Sequence, residues 1–215
     1  MSHLIETTIP PLYQTWDISQ MVGADNLEEI KQKVSQYLLD PLLEKNGHNL
    51  YLYSIENGTG KTSLAYYILG QIHGPRKIIY EDSPNSWHWE ITPVLAVKFA
   101  NYLKFCNDPY NQDSKNAKKQ VETTPFLLLD DVSPWANSSN LQADKREFVL
   151  LMMYRREHLL PTVITSNLTP ETFEKMYGAT VSSKVLENFS YIEVRGADVR
   201  PALFPDTFAK EDYPQ

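Results

Sequence analysis

Apolar positions along this chain fall into short solid runs separated by longer, helically spaced stretches. Leu50 to Ile55, Pro93 to Val97 and Phe126 to Leu129 are continuous enough for one buried strand each. Pro161-Thr-Val-Ile-Thr-Ser-Asn167 reads as a fourth strand, and Ser190 to Arg195 alternates as a fifth. Between them the spacing changes. Leu27, Ile30, Val34, Tyr37 and Leu38 recur at helical intervals, as do Leu64, Ala65, Ile68, Leu69 and Ile72. Further helices are predicted over Phe99 to Cys106, Asp144 to His158, the stretch opened by Thr169, and Ser182 to Phe189. Asp25-Asn26 is placed to cap the first of these helices. Lys77 to Tyr80 reads as a short strand, followed by a polar stretch to Glu90 that carries Trp87 and Trp89. Asn107 to Glu122 is polar and lysine-bearing, and reads as a mobile loop or the polar end of a helix. The prolines of residues 1–24 oppose regular structure, while Tyr13 and Trp16 favour packing onto the rest.

The strongest chemistry lies where the first strand meets its helix. Asn57-Gly58-Thr59-Gly60 forms a small-residue loop, and Lys61-Thr62-Ser63 opens the helix. Strand, Gly-rich loop, Lys-Thr and helix are the parts of a phosphate-binding P-loop. Loop N–H groups and the helix N-terminus attract anions. Lys61 would reach the β- and γ-phosphates of ATP, and the Thr62 hydroxyl would ligate Mg²⁺. The full motif asks for a glycine six residues before the lysine; Ile55 stands there instead. The plainer alternative is a Gly-rich turn that happens to precede a lysine.

A second signal is the strand end Leu129-Asp130-Asp131. Two carboxylates there suit a P-loop ATPase: Asp130 for the metal and Asp131 for the attacking water. By itself it is more often an acidic turn. Asn167, ending the fourth strand, would lie near the γ-phosphate, or simply serve a turn.

Composition changes this picture only at its edges. The 215 residues suit one domain, with 42% hydrophobic and 22% charged residues. Provisional boundaries are 1–45 for an N-terminal segment, 46–201 for the core domain and 202–215 for a tail. No run is long enough for a membrane span, no signal peptide is visible, and Cys106 is the sole cysteine, so a reducing, cytoplasmic setting is expected. The net charge of −7 opposes bulk coating of DNA but allows a local basic groove.

The P-loop, Asp130-Asp131, the strand ending in Asn167, Ser183-Lys184-Val-Leu-Glu187 and Gly196-Ala-Asp-Val-Arg200, in that order, resemble the DnaC/DnaI-type helicase loaders and IstB-like transposition ATPases. These form one branch of the AAA+ ATPases, and the resemblance covers roughly residues 45–201. It implies an α/β three-layer sandwich with a parallel sheet of order 5-1-4-3-2 and no complete C-terminal lid domain. It implies a sensor role for Asn167, a second-sensor role for Arg200, and a position facing a neighbouring subunit's ATP for Lys184, where an arginine finger is usual. A lysine lacks the planar fork that clamps a phosphoryl group, so weak hydrolysis is expected unless Arg155 or Arg156 substitutes. The implied activity is ATP-dependent helicase loading within a homo-oligomer, with a replicative helicase and single-stranded DNA as partners. The alternatives are a transposition helper or a non-hydrolysing, nucleotide-dependent interaction module. For DNA contact, Lys98, Tyr102, Lys104 and Phe105 mix basic and aromatic groups, with Lys115, Lys118 and Lys119 adjoining. An ordinary amphipathic helix explains the same residues equally well.

Overall fold

The computed structural model describes residues 9–21, 23–40, 43, 46–73, 76–80, 83–90, 92–133, 141–178 and 188–198, with backbone alone for 76–80 and 83–90. Five parallel strands form the centre: β1 (Asn49–Tyr53), β4 (Val94–Lys98), β5 (Phe126–Asp130), β6 (Thr162–Ser166) and β7 (Phe189–Glu193). Their spatial order is β4-β5-β6-β1-β7. Counted along this sheet, that is the expected 5-1-4-3-2.

The solid apolar runs are explained by burial on both faces. Alternate side chains of each strand enter opposite cores. Leu50, Leu52, Phe126, Leu128 and Val163 face α2 (Leu27–Leu38) and α3 (Lys61–His73). Tyr51, Leu127, Leu129 and Ile164 face α4 (Phe99–Asn107), α5 (Gln112–Thr123), α6 (Leu141–Glu157) and α7 (Pro170–Tyr177). Phe126 through Leu129 are completely buried. Because the strands run parallel, the segments leaving β1, β5, β6 and β7 all emerge at one end of the sheet, where ligands of open α/β sheets bind.

Several expectations change. The lysine-bearing stretch from Asn107 is mostly helix α5. Asn111 caps it by accepting from the N–H groups of Asp113 (2.9 Å) and Ser114 (3.4 Å). Its buried stripe is Ser114, Ala117 and Val121, too small and sparse to stand out in a polar stretch. The stretch with Trp87 and Trp89 is strand β3 (Ser83–Glu90), paired antiparallel with β2 (Arg76–Tyr80) in a hairpin outside the main sheet. The proline-rich start contains one helical turn, α1 (Pro11–Gln14). A proline at its first position removes only an N–H that would be unpaired anyway. Tyr13 stacks on Tyr66 at 4.4 Å and Trp16 meets Tyr67 edge-on at 6.0 Å, which packs this segment on α3. Asn26 precedes α2 but makes no capping bond. Its amide donates to the Glu193 carbonyl and accepts from the Arg195 N–H, tying α2 to the end of β7. Thr169 does cap α7. The helix predicted over Ser182 to Phe189 lies almost wholly outside the described residues, with Phe189 opening β7.

Candidate nucleotide-binding site

The loop from Ser54 to Gly60 joins β1 to α3 at that ligand end of the sheet. Gly58 and Gly60 have φ of 71° and 94°, values that a residue with a Cβ adopts only with strain. Lys61 begins α3 and donates from Nζ to the Glu56 carbonyl at 3.0 Å, arching over the loop. Thr59 is buried, and its hydroxyl meets no hydrogen-bond partner among the described residues. An orphaned hydroxyl in a turn lined by N–H groups suits an anionic ligand. Ile55, at the place of the missing glycine, is 69% exposed, so its side chain points to solvent and does not fill the loop.

Opposite the loop, the end of β5 forms a tight polar corner. Asp130 is buried, and its Oδ1 accepts from the Thr62 hydroxyl at 3.0 Å and the Thr165 hydroxyl at 2.6 Å. Thr165 also accepts the Asp131 N–H at 2.8 Å. One threonine therefore orients both carboxylate-bearing residues. Thr165 was not singled out in the sequence; its signal is a hydroxyl one strand away, in the next-to-last position of β6. Asp131 is exposed and has a φ of 57°, an uncommon conformation for a non-glycine residue and one that concentrates at functional sites. Val132 then returns to the sheet, its N–H on the Thr165 carbonyl at 2.8 Å. Asn167 is half-buried and donates from its amide to Asn57 Oδ1 at 3.1 Å, so the sensor candidate touches the loop itself.

Thus Asn57, Gly58, Thr59, Gly60, Lys61, Thr62 and Ser63 form the loop and the start of α3, with Asp130, Asp131 and Asn167 around them. Lys184 and Arg200 lie outside the described residues. Among the described residues, no three His, Cys, Asp or Glu side chains cluster as a metal cage. Mg²⁺ does not require one, since it keeps several waters and uses one or two protein groups plus phosphate oxygens. Thr62 beside Asp130 fits that requirement.

Two suggested roles are corrected. Arg155 cannot reach another subunit's nucleotide, because it is 0% exposed. Its guanidinium donates to the carbonyls of Val121, Glu122, Thr124 and Pro161 and to the Thr162 hydroxyl, all within 3.1 Å. Burial pushes it down to about 9, still charged at neutral pH. Tyr102 and Phe105 are core residues, not platforms for bases. Lys118 is held by Glu147 at 2.8 Å. Lys98, Lys104, Lys115 and Lys119 are exposed, and Lys98 lies beside Asp130 in the sheet register.

No protein-family model matches the chain, and neither does any curated protein. Solved structures do. A structure of DnaI aligns with 88% of this chain and 93% of its own at 19% identity, TM-score 0.59. The DnaC helicase loader aligns with 91% of this chain and 100% of its own at 18% identity, TM-score 0.57. The chain has the AAA+ fold. A further AAA+ match is domain III of the replication initiation protein DnaA from Thermotoga maritima, with TM-score 0.62 at 15% identity, covering 89% of this chain and 70% of the other. Another DnaA, from Aquifex aeolicus, was solved with the ATP analogue AMPPCP bound. Among the described residues, no helix is long and apolar enough to cross a membrane.

Proposed function

We propose that this chain is an ATP-dependent replication accessory protein that loads a replicative helicase onto single-stranded DNA. The observation that carries the nucleotide half is the Thr62 hydroxyl on the Asp130 carboxylate, with Lys61 beginning the same helix. Lys61 would hold the β- and γ-phosphates, and Thr62 with Asp130 would hold Mg²⁺. Bound there, Mg²⁺ would neutralise charge developing on the phosphoryl oxygens. Asp131 orients the attacking water, and Asn167 hydrogen-bonds the γ-phosphate or that water. Arg200 contacts the γ-phosphate of its own subunit. Lys184 reaches a neighbouring subunit's ATP as a point charge, which favours assembly over fast turnover.

The loader half is supported by likeness in fold to DnaI and DnaC across nearly the whole chain. DNA contact is assigned to the exposed Lys98, Lys104 and Lys119, with Lys118 only partly available. The test combines two assays. Steady-state ATPase activity should be low in wild type and fall about a hundredfold or more in Asp131→Asn, with ATP affinity retained. A pull-down with ATP should recover a replicative helicase. Equal turnover in Asp131→Asn would remove the residue assignment. Recovery of a transposase instead would replace loading with transposition.

A further inference from the structure

The segment that leaves β7 turns back across the phosphate loop. A Cβ placed on Gly58 would collide with the Asp198 carboxylate, so this side chain is packed directly on the loop's glycine. What brings it there is well tied. The Asp25 N–H donates to the Arg195 carbonyl at 2.9 Å, and Ala24 forms a β-bridge with Gly196. Gly196 has a φ of 148°, and a Cβ on it would strike the Gly23 carbonyl oxygen, so only glycine allows the crossing. The N-terminal segment therefore clasps residues 195–196 and delivers Asp198 to the loop two residues later.

A carboxylate against a loop whose N–H groups are to receive phosphates is chemically conspicuous. It offers the same kind of acceptor oxygen as a phosphate and the same sign of charge. Asp198 is exposed, yet bound ATP would bring several negative charges to within a few ångströms of it, close enough for like charges to repel through water. We propose that Asp198 is a built-in competitor for the phosphates: it occupies the mouth of the loop, must move aside for ATP, and in moving loosens the clasp between residues 23–26 and 195–196. Nucleotide binding is thereby coupled to release of the N-terminal segment. This rests on the reading of the loop as a nucleotide site.

The test is calorimetric titration of the full chain with Mg-ATP, Mg-ADP and AMP, comparing wild type, Asp198→Asn and Asp198→Ala, with Lys61→Ala as the control. Both Asp198 variants should bind ATP about tenfold tighter, ADP less so, and AMP with little change, because the relieved repulsion scales with phosphate charge. Hydrogen exchange at the Asp25 amide should accelerate on adding ATP to wild type. Binding by the Asp198 variants alone would be the extreme form of the same result. Unchanged or weaker ATP affinity in both variants, with wild type still binding, would overturn the competitor while leaving the nucleotide site standing. An equal gain for AMP and ATP would also overturn it, as would unchanged exchange at Asp25. If neither wild type nor the variants bind ATP, the nucleotide reading itself fails and the competitor with it.

Discussion

Strands β5 and β6 carry a knot of polar groups at each end, and the two knots are built to opposite specifications. At the N-terminal end Arg155 is sealed from solvent and its guanidinium makes five hydrogen bonds to Val121, Glu122, Thr124, Pro161 and Thr162. Asn49 completes it by accepting the Thr162 N–H at 2.8 Å. At the C-terminal end Asp130 is buried, but Asp131 is exposed and the Thr59 hydroxyl has no partner among the described residues. A sealed charged group that donates to four backbone carbonyls and a threonine hydroxyl holds elements together. A corner with donors left over is made for something else. Even the strain is distributed this way: the two non-glycine residues with positive φ among the described residues are Asp131 at one end and Leu159 at the other.

The largest effect is expected at Arg155. Arg155→Met should destabilise the fold by about 3–5 kcal/mol, since buried carbonyls lose a charged donor. Urea unfolding measures this, and the folded fraction should still bind ATP. Thr165→Val keeps the shape and removes the hydroxyl that joins Asp130 to the Asp131 backbone. A loss of about 1–3 kcal/mol is expected, with turnover falling more than ATP affinity.

Leu159 sharpens the contrast in strain. It follows α6, with the Leu160 N–H on the Arg155 carbonyl, in the place where glycine usually ends a helix. It is half exposed, so Leu159→Gly sacrifices little packing. Thermal melts should show a gain of about 0.5–1 kcal/mol, as relief of the left-handed conformation exceeds the entropy of a glycine. The smallest effect belongs to Glu29, which the Lys33 ammonium, helped by the Asn26 amide and Arg195, holds down at about 2. A carboxylate lowered in the folded state stabilises above its ordinary value of 4.5 and loses that contribution as pH falls toward about 2. Melting temperatures between pH 5 and 2 should therefore fall slightly less steeply in Glu29→Gln.

Much of the C-terminal knot was legible because it is made of consecutive residues. Gly58 to Thr62 and Asp130-Asp131 are contiguous, and a strand before a glycine loop places them without knowledge of distant contacts. The strand order came through resemblance, and the observed register agrees with it. Thr165 was hidden because a threonine in a strand ordinarily reads as β-propensity. Arg155 was misread for a related reason: near a helix end, a buried arginine and an exposed finger look alike until burial is known. Helix α5 was obscured by a stripe of Ser114, Ala117 and Val121, whose small side chains hardly register as an apolar face.

On this reading the C-terminal knot binds nucleotide and the N-terminal one does not. Urea unfolding of wild type and Lys61→Ala, with and without Mg-ATP, tests it most directly. A ligand present at about a hundred times its dissociation constant should stabilise wild type by about 2.7 kcal/mol. Lys61→Ala should match wild type within about 0.5 kcal/mol without ATP and gain nothing with it. An equal gain in Lys61→Ala, or none in wild type, would rule out nucleotide binding through this loop.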